Sequence, residues 1–329
     1  MELVKVLDLS TEWSKGTKME KMELLRFLRT SAMPSSIRIC RNLEYLFMDT
    51  MKKGELPNLI FKMVKLRRVH FKGKVSWRER EIIDDSFQIN NLEAFSTFLI
   101  KDENDMKILR CSPFLRILKC KFVSVGNSAN PNYYPTLNFL NHLEFLSIIS
   151  NLINLPLNLR KLTLTKLKLN SIEMKMIGEL HKLKVLKLES ASIEDNEWNP
   201  NEGEFQLLRF LKLHNMGVEL NVSSDHFPRL EQLVLRRFRT AIPSSLGDIP
   251  TLVKIEVKWC TNEVEESALK ILEEQQDNGN GLLKVKIVGL NKLVTLMAQF
   301  LAWSNLFINP PETNYSWHFG SSPISYSEK

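Results

Sequence analysis

The apolar residues of this 329-residue chain recur in a short pattern along most of its length. Each copy has an apolar residue, two spacers, a second apolar residue, one spacer and a third, so apolar residues occupy positions 1, 4 and 6. The copies begin at Val4, Leu25, Leu43, Leu66, Leu92, Leu115, Leu143, Leu159, Leu183, Leu208, Leu230, Leu252 and Leu282. This alternation is typical of a short β-strand with one buried face, and we therefore predict a strand at every copy.

The interval between copies indicates the architecture. It averages about 23 residues, inside the range of roughly 20–29 that leucine-rich repeats show. One strand and its return segment cannot cover their own apolar face, but stacked neighbours can. We therefore predict an α/β fold, a leucine-rich repeat solenoid with the form of an irregular horseshoe and a parallel sheet on its concave face. We assign residues 1–288 to the repeat domain and residues 289–329 to a C-terminal cap helix and loose tail.

Several segments depart from the regular pattern. The copy at Leu92 ends in Thr97 where an apolar residue is expected. Two insertions, at 73–91 and 194–204, are expected to be exposed loops or short helices on the convex side. Within the second insertion, Trp198 either folds back onto the convex side or contacts a partner.

Two segments near the C-terminus have helical patterns. The spacing of apolar residues over Glu263–Gln276 predicts an amphipathic helix. Residues 293–308 are apolar nearly all round, which leaves three interpretations: a cap over the open end of the core, a helix on a membrane surface, or a poorly folded segment. This stretch contains no Lys or Arg, which weakens the membrane interpretation.

Composition narrows the classes of function. A content of 43% hydrophobic and 25% charged residues is typical of a globular protein. The net charge of +7 is compatible with an acidic partner but does not indicate nucleic acid. Four scattered cysteines do not form a disulfide framework, and the sequence has no signal-peptide pattern or membrane-length apolar run. We therefore expect reduced thiols and a cytoplasmic location, with peripheral contact at the plasma membrane as a weaker alternative.

Motifs for catalysis and for metal or nucleotide binding are missing from the sequence. None of the six histidines has a second His or a Cys at ligand spacing. The segment 14–18, Ser-Lys-Gly-Thr-Lys, lacks the leading glycine of a phosphate-binding loop. We therefore expect no enzymatic activity, no cofactor and no metal site.

The outward positions of the predicted strands carry an unusual charge. Because side chains alternate along a strand, positions 3, 5 and 7 face away from the core. Over the thirteen copies these positions hold thirteen basic and four acidic residues, a net charge of +9 against +7 for the whole chain. One interpretation is that lysines merely solvate an exposed sheet. The other is a binding face for an acidic protein surface, with aromatic anchors. The candidate binding residues are Phe27, Arg29, Tyr45, Arg68, Lys119, Phe145, Lys161, Lys187, Phe210, Lys212 and Arg236.

The chain resembles a known family over about residues 1–288, most specifically over 198–277. The resemblance is to the leucine-rich repeat region of plant intracellular immune receptors of the late-blight-resistance type, and the segments that carry it are 42–48, 55–66, 198–205, 208–213, 223–235, 242–252, 256–260 and 265–277. The resemblance implies pathogen perception and restraint of signalling. It implies a protein partner, either a pathogen effector or the receptor's own nucleotide-binding domain. The coiled-coil and nucleotide-binding domains of such receptors have no counterpart in this sequence, so we expect no ATP-switched signalling by this chain.

Three other functions compete with a recognition module. A substrate-recruiting subunit of a ubiquitin ligase is an alternative, but it requires a recruiting motif that the sequence does not show. A non-functional receptor fragment is another. Nucleic-acid binding is not expected, because the sequence has no stacking motif or helix module typical of such proteins.

Overall fold

The computed structural model describes residues 6–9, 23–31, 35–49, 54–56, 60, 63–77, 89–100, 103–122, 136–149 and 154–289. The cap helix and tail predicted for 289–329 lie outside these residues apart from Gly289. The described residues contain three α-helices, α1 (Glu103–Arg110), α2 (Ser171–Gly178) and α3 (Asn262–Asp277). Short 3-10 turns cover Ser35–Ile39, Glu194–Asn196, Ser224–His226 and Ser244–Leu246.

A 14-stranded parallel sheet runs through the described part of the chain. Its strands are β1 (Val6–Leu9), β2 (Phe27–Thr30), β3 (Tyr45–Met48), β4 (Gly54–Leu56), β5 (Arg68–Trp77), β6 (Ala94–Ile100), β7 (Ile117–Phe122), β8 (Phe145–Ile149), β9 (Lys161–Thr165), β11 (Val185–Glu189), β14 (Phe210–His214), β16 (Gln232–Arg236), β17 (Lys254–Lys258) and β18 (Lys284–Val288). Two further two-stranded sheets pair β10 (Lys168–Leu169) with β12 (Ser192–Ile193), and β13 (Glu197–Trp198) with β15 (Glu219–Leu220).

The pairing register follows the sequence motif. Each of the thirteen copies forms one strand of the main sheet, and β4 pairs only with β5 in addition. The residues at position 3 lie side by side in one row: Val6, Phe27, Tyr45, Arg68, Ala94, Ile117, Phe145, Lys161, Val185, Phe210, Gln232, Lys254 and Lys284. The predicted leucine-rich repeat solenoid is confirmed, with its parallel sheet on the concave face.

The core lies behind this sheet and runs continuously from repeat to repeat. Residues at positions 4 and 6, such as Leu162, Leu186 and Leu211, are almost completely buried and belong to one cluster. Burial of each such side chain stabilises the fold by about 1.5–3 kcal/mol. The stack therefore depends on an inward apolar residue in every repeat, and the outward positions remain available for other roles.

A repeated turn ends the strands of the second half. The residues at position 8, which are Lys166, Ser190, Asn215, Arg237 and Trp259, all have a positive φ between 49° and 58°. Each donates its backbone N–H to the position-7 carbonyl of the next repeat, at 2.7–2.9 Å. For residues other than glycine the left-handed conformation is uncommon and costs about 1–2 kcal/mol. It recurs here because it forms this bond and turns the chain so that position 9 is buried.

The degenerate copies have local explanations. In β6, Thr97 has a φ of 68° and forms a bulge, and the next residue, Phe98, pairs with Cys120 and fills the core position. In the last copy the register agrees with the motif, since Lys284 pairs with Lys254, but the buried residue is at position 2 and not at position 1. Leu282 is 73% exposed, and the adjacent Leu283 is buried instead.

The two predicted insertions are more regular than expected. The first five residues of the segment 73–91 do not form a loop or helix but continue β5, which pairs with β4 and β6. In the second insertion, Trp198 belongs to β13 and is only 2% exposed. Its ring packs edgewise on Phe205 and Phe227, with centroids 5.5 and 5.7 Å apart. Trp198 therefore folds back onto the convex side, and its alternative role as a surface contact is wrong.

The helix predicted at Glu263–Gln276 is confirmed as α3. Val264, Ala268 and Ile271 are buried on its inner face. α3 packs against β17, β18 and the turn Ser244–Leu246. It therefore covers the convex side behind the last strands and leaves their concave face open.

Candidate partner-binding face

The structure places all eleven candidate residues on one face of the main sheet. Six occupy position 3, four occupy position 5 and Arg236 occupies position 7, and every one alternates with buried core residues along its strand. All are exposed or half-buried. The face is interrupted at β6, where the small residues Ala94 and Ser96 are buried between their neighbours.

The aromatic residues of β2 and β3 form a cluster with neighbouring bases. The Phe27 and Tyr45 rings lie 6.4 Å apart, and the Arg68 guanidinium lies 5.7 Å above the Tyr45 ring. Phe47 stacks on His70 at 4.4 Å. Sequence reasoning missed Phe47 and His70 because it sought outward aromatic residues only at position 3, and both occupy position 5.

Charges in this N-terminal region are largely neutralised. Asp49 on the turn after β3 accepts a hydrogen bond from Arg29 at 2.6 Å and lies 3.2 Å from the Lys72 ammonium. Hydrogen bonds from Arg29 and then Lys72 hold the pKa of Asp49 below its ordinary value. The N-terminal part of the face therefore offers aromatic surface more than free positive charge.

The central part of the face is different, because bases lie on adjacent strands. Lys187 and Lys212 are direct register partners, and Lys161 lies on the other side of Lys187, two residues away from its partner Thr163. Burial lowers the pKa of Lys187, and the charges of Lys161 and Lys212 lower it further. One carboxylate, Glu189, contacts this group through Lys212 at 2.7 Å.

Two aromatic rings form cation–π contacts with bases of this region. The Lys187 ammonium lies 5.4 Å from the centroid of the Phe210 ring, and the Arg236 guanidinium lies 4.2 Å from that of Trp259. Such contacts stabilise a cation while leaving its outer side free. The buried Nε–H of Arg236 has no acceptor among the described residues. Trp259 is a further residue that the sequence reasoning missed, since it lies at position 8, outside the strand.

The charged group beyond Arg236 is again compensated. Glu256 lies between Lys254, at 2.7 Å, and Lys258 on the same strand. Hydrogen bonds from these two lysines lower the pKa of Glu256 to about 2. On the β17 side the central bases are therefore followed by a group whose ion pairs all lie within one strand.

A different row of charges follows the edge where the strands begin. The residues at position 2, which we call the rim row, are Arg26, Glu44, Arg67, Glu93, Arg116, Glu144, Arg160, Lys184, Arg209 and Glu231. Ion pairs link Arg26 to Glu44, Arg67 to Glu93, Arg116 to Glu144 and Arg209 to Glu231. The backbone of the row is also connected: each rim residue after Arg26 donates its backbone N–H to the carbonyl of the rim residue in the preceding repeat. A cavity of about 500 Å³ opens beside this row, next to the rings of Phe114 and His142, whose centroids lie 5.3 Å apart.

The described residues show no other chemistry at this face. They contain no group of three or more His, Cys, Asp or Glu side chains placed to hold a metal ion. All four cysteines are buried and free, and burial raises the pKa of Cys40 to about 11. Within the described ranges no helix is both long and apolar enough to cross a membrane.

Sequence comparison finds relatives among plant resistance proteins. The putative late blight resistance protein homolog R1B-16 from Solanum demissum is 32% identical over 314 residues, which cover 89% of this chain and 24% of that protein. Homolog R1B-23 of the same plant is 33% identical over 314 residues, 88% of this chain and 25% of that protein. The chain is related to the late blight resistance proteins.

The relationship concerns one part of those proteins. The chain spans about a quarter of the length of the curated relatives it matches first. No protein-family model matches the sequence. Among solved structures, an internalin from Listeria monocytogenes overlaps 87% of this chain and 87% of its own, with 12% identity and a TM-score of 0.47.

Proposed function

We propose that this leucine-rich repeat chain is a non-enzymatic protein-recognition module of a plant disease-resistance receptor and binds a protein partner on its concave face. The partner is either a pathogen effector or the nucleotide-binding domain of a longer receptor. A cytoplasmic location and the absence of nucleic-acid binding belong to the same proposal. The proposal rests on the sequence similarity to the late blight resistance homologs.

The observation that carries the proposal is the group of like charges on the open sheet. Lys161, Lys187 and Lys212 lie on three adjacent strands and share one carboxylate, Glu189. Lysines that merely solvate a sheet reduce their mutual repulsion by lying apart or by pairing with acids, as the rim row does from Arg26 to Arg160. Repulsion within the folded protein is relieved when an acidic surface binds, and this gain contributes to affinity.

The aromatic cluster gives the same face a second contact type. Phe27, Tyr45 and Phe145 are at least partly exposed at position 3, where a partner surface can cover them. Buried aromatic residues provide much of the energy of protein interfaces, and charges mainly determine the rate and selectivity of association. We expect the N-terminal strands to anchor the partner and the central strands to orient it.

A charge-reversal experiment tests this proposal. The double variant K187E/K212E is compared with K175E/K270E, which makes the same change in net charge on the exposed sides of α2 and α3. Binding is measured by surface plasmon resonance against the nucleotide-binding domain of a late blight relative and against candidate effectors. We expect the first variant to weaken binding by about tenfold or more, with a reduced dependence on salt. Equal binding by both variants, or loss only with the helix variant, would contradict the concave assignment.

A further inference from the structure

Four outward bases of the central strands follow one line across the sheet. Lys161 occupies position 3 of β9, Lys187 and Lys212 occupy position 5 of β11 and β14, and Arg236 occupies position 7 of β16. These four residues, which we call the diagonal row, contribute one base from each of four consecutive repeats. Within the described residues, Glu189 provides the one ion pair to this row, through Lys212.

The row has defined ends. On one side the outward positions of β8 hold Phe145, Ser147 and Ile149, none of which is charged. On the other side Glu256 pairs with both Lys254 and Lys258, so this group of three keeps a net charge of only +1. The diagonal row therefore lies on the four adjacent strands β9, β11, β14 and β16, and further outward bases, such as Lys121 on β7 and Lys284 on β18, lie beyond these ends.

The spacing of the row identifies the shape of its ligand. Neighbouring strands lie about 4.8 Å apart and residues along a strand rise by about 3.3 Å, so the three steps of the row measure about 8, 5 and 8 Å at the backbone. The mean step of about 7 Å equals two residues of an extended chain, whose alternate side chains point to one side. The whole row of about 21 Å matches about seven extended residues.

We propose that an extended acidic segment of the protein partner lies diagonally across these four strands, with an acidic side chain at every second residue. This inference rests on the proposed function and specifies how the partner is held. Each acidic side chain pairs with one base of the diagonal row. The rings of Phe210 and Trp259 hold Lys187 and Arg236 in place for this contact.

The inference is tested with synthetic peptides on the full chain. The probe is a fluorescein-labelled seven-residue peptide with Glu at positions 1, 3, 5 and 7 and Ser between them. The comparison peptide has the same composition with four consecutive Glu. We expect the alternating peptide to bind several-fold more tightly in fluorescence anisotropy at low ionic strength. Equal or reversed affinities, or no binding of either peptide, would overturn the inference.

Single substitutions then locate the contact. K161E, K187E, K212E and R236E are each expected to weaken binding of the alternating peptide about three- to tenfold. The controls K121E and K284E make the same charge change on outward positions of β7 and β18, outside the row, and are expected to change it less than about twofold. An equal loss in all six variants would indicate general electrostatic attraction and would overturn the diagonal contact.

A gain-of-affinity variant guards against loss through misfolding. E189Q removes the carboxylate that competes for Lys212 and is expected to tighten peptide binding about two- to fivefold. Unchanged or weaker binding by E189Q would count against the inference. The proposed function is evaluated separately, by the effect of K187E/K212E on the whole protein partner. Failure of the peptide tests with a clear effect there would reject the extended segment and retain the concave face.

Discussion

The first part of the rim row, from Arg26 to Arg160, and the diagonal row contain similar residues in opposite arrangements. Along the rim, basic and acidic residues alternate from Arg26 to Arg160, so each charge faces an opposite charge on the next repeat. Along the diagonal, Lys187 faces Lys212, and Lys161 lies close by. Both rows extend across a stack of parallel strands with the same spacing between neighbours. The rim row stays at one position of the repeat and the diagonal row moves along the strands, but the sign of each charge comes from residue choice.

This contrast distinguishes the stabilising role of alternating charges from the binding role that we propose for the diagonal row. Opposite charges on neighbouring strands contribute roughly 0.2–1 kcal/mol, and like charges in the same place cost a similar amount. Natural proteins retain such local costs mainly where function requires them. The alternating part of the rim row favours the correct stacking of repeats, and the proposed binding function accounts for the like charges of the diagonal row.

The largest effect on stability is expected from breaking the rim row. The substitution R116E places a third carboxylate between Glu93 and Glu144 and removes the 2.7 Å pair with Glu144. We expect the free energy of unfolding in urea to fall by about 1 kcal/mol, because one exposed pair is lost and two repulsions are created. The exchange R116E/E144R is the control and should recover part of that loss, because the introduced arginine would again face a carboxylate on the neighbouring strand. A loss that the exchange does not reduce would show that the pairing is irrelevant.

The same type of substitution on the diagonal row should have the opposite sign. K187E converts repulsion by Lys161 and Lys212 into attraction, so we expect the free energy of unfolding to rise by a few tenths of a kcal/mol. K187Q removes the repulsion without adding attraction and should give an intermediate value. Both are measured by urea unfolding beside R116E. A decrease in stability for K187E would remove the distinction between the two rows.

The repeat pattern predicted the strands of the main sheet and their register, but not the ion pairs between side chains. The spacing of positions 1, 4 and 6 indicated the register of all thirteen main strands, because a parallel stack brings equivalent positions together. The spacing did not predict that Asp49 is the ion-pair partner of Arg29. Asp49 lies twenty residues later and two positions further along its repeat, and only the turn after β3 brings the two side chains within 2.6 Å.

Local backbone geometry accounts for the other differences. The bulge at Thr97 and the shift from Leu282 to Leu283 change which residue points inward, and an apolar-residue search allows either choice. Trp259 supports Arg236 because position 8 adopts a positive φ, a feature that the motif of strand positions does not contain. Alternation alone is therefore sufficient to place the eleven candidate residues on one face. Which of them are neutralised could be known only from the side-chain contacts.

The smallest expected effect concerns the acid that ends the diagonal row. Lys254 and Lys258 lower the pKa of Glu256 to about 2 from an ordinary value of 4.5, so the folded state holds its proton less tightly than the unfolded state. The stabilisation is therefore complete above pH 4.5 and is lost as the pH falls from 4.5 through about 2. The variant E256Q should melt slightly lower than the wild-type chain at pH 7, by about 1 °C, with the difference vanishing near pH 2. A difference in melting temperature that stays constant from pH 7 to about 2 would refute the ion-pair group at β17. E256Q should also release Lys258, the register partner of Arg236, and so lengthen the row by one base.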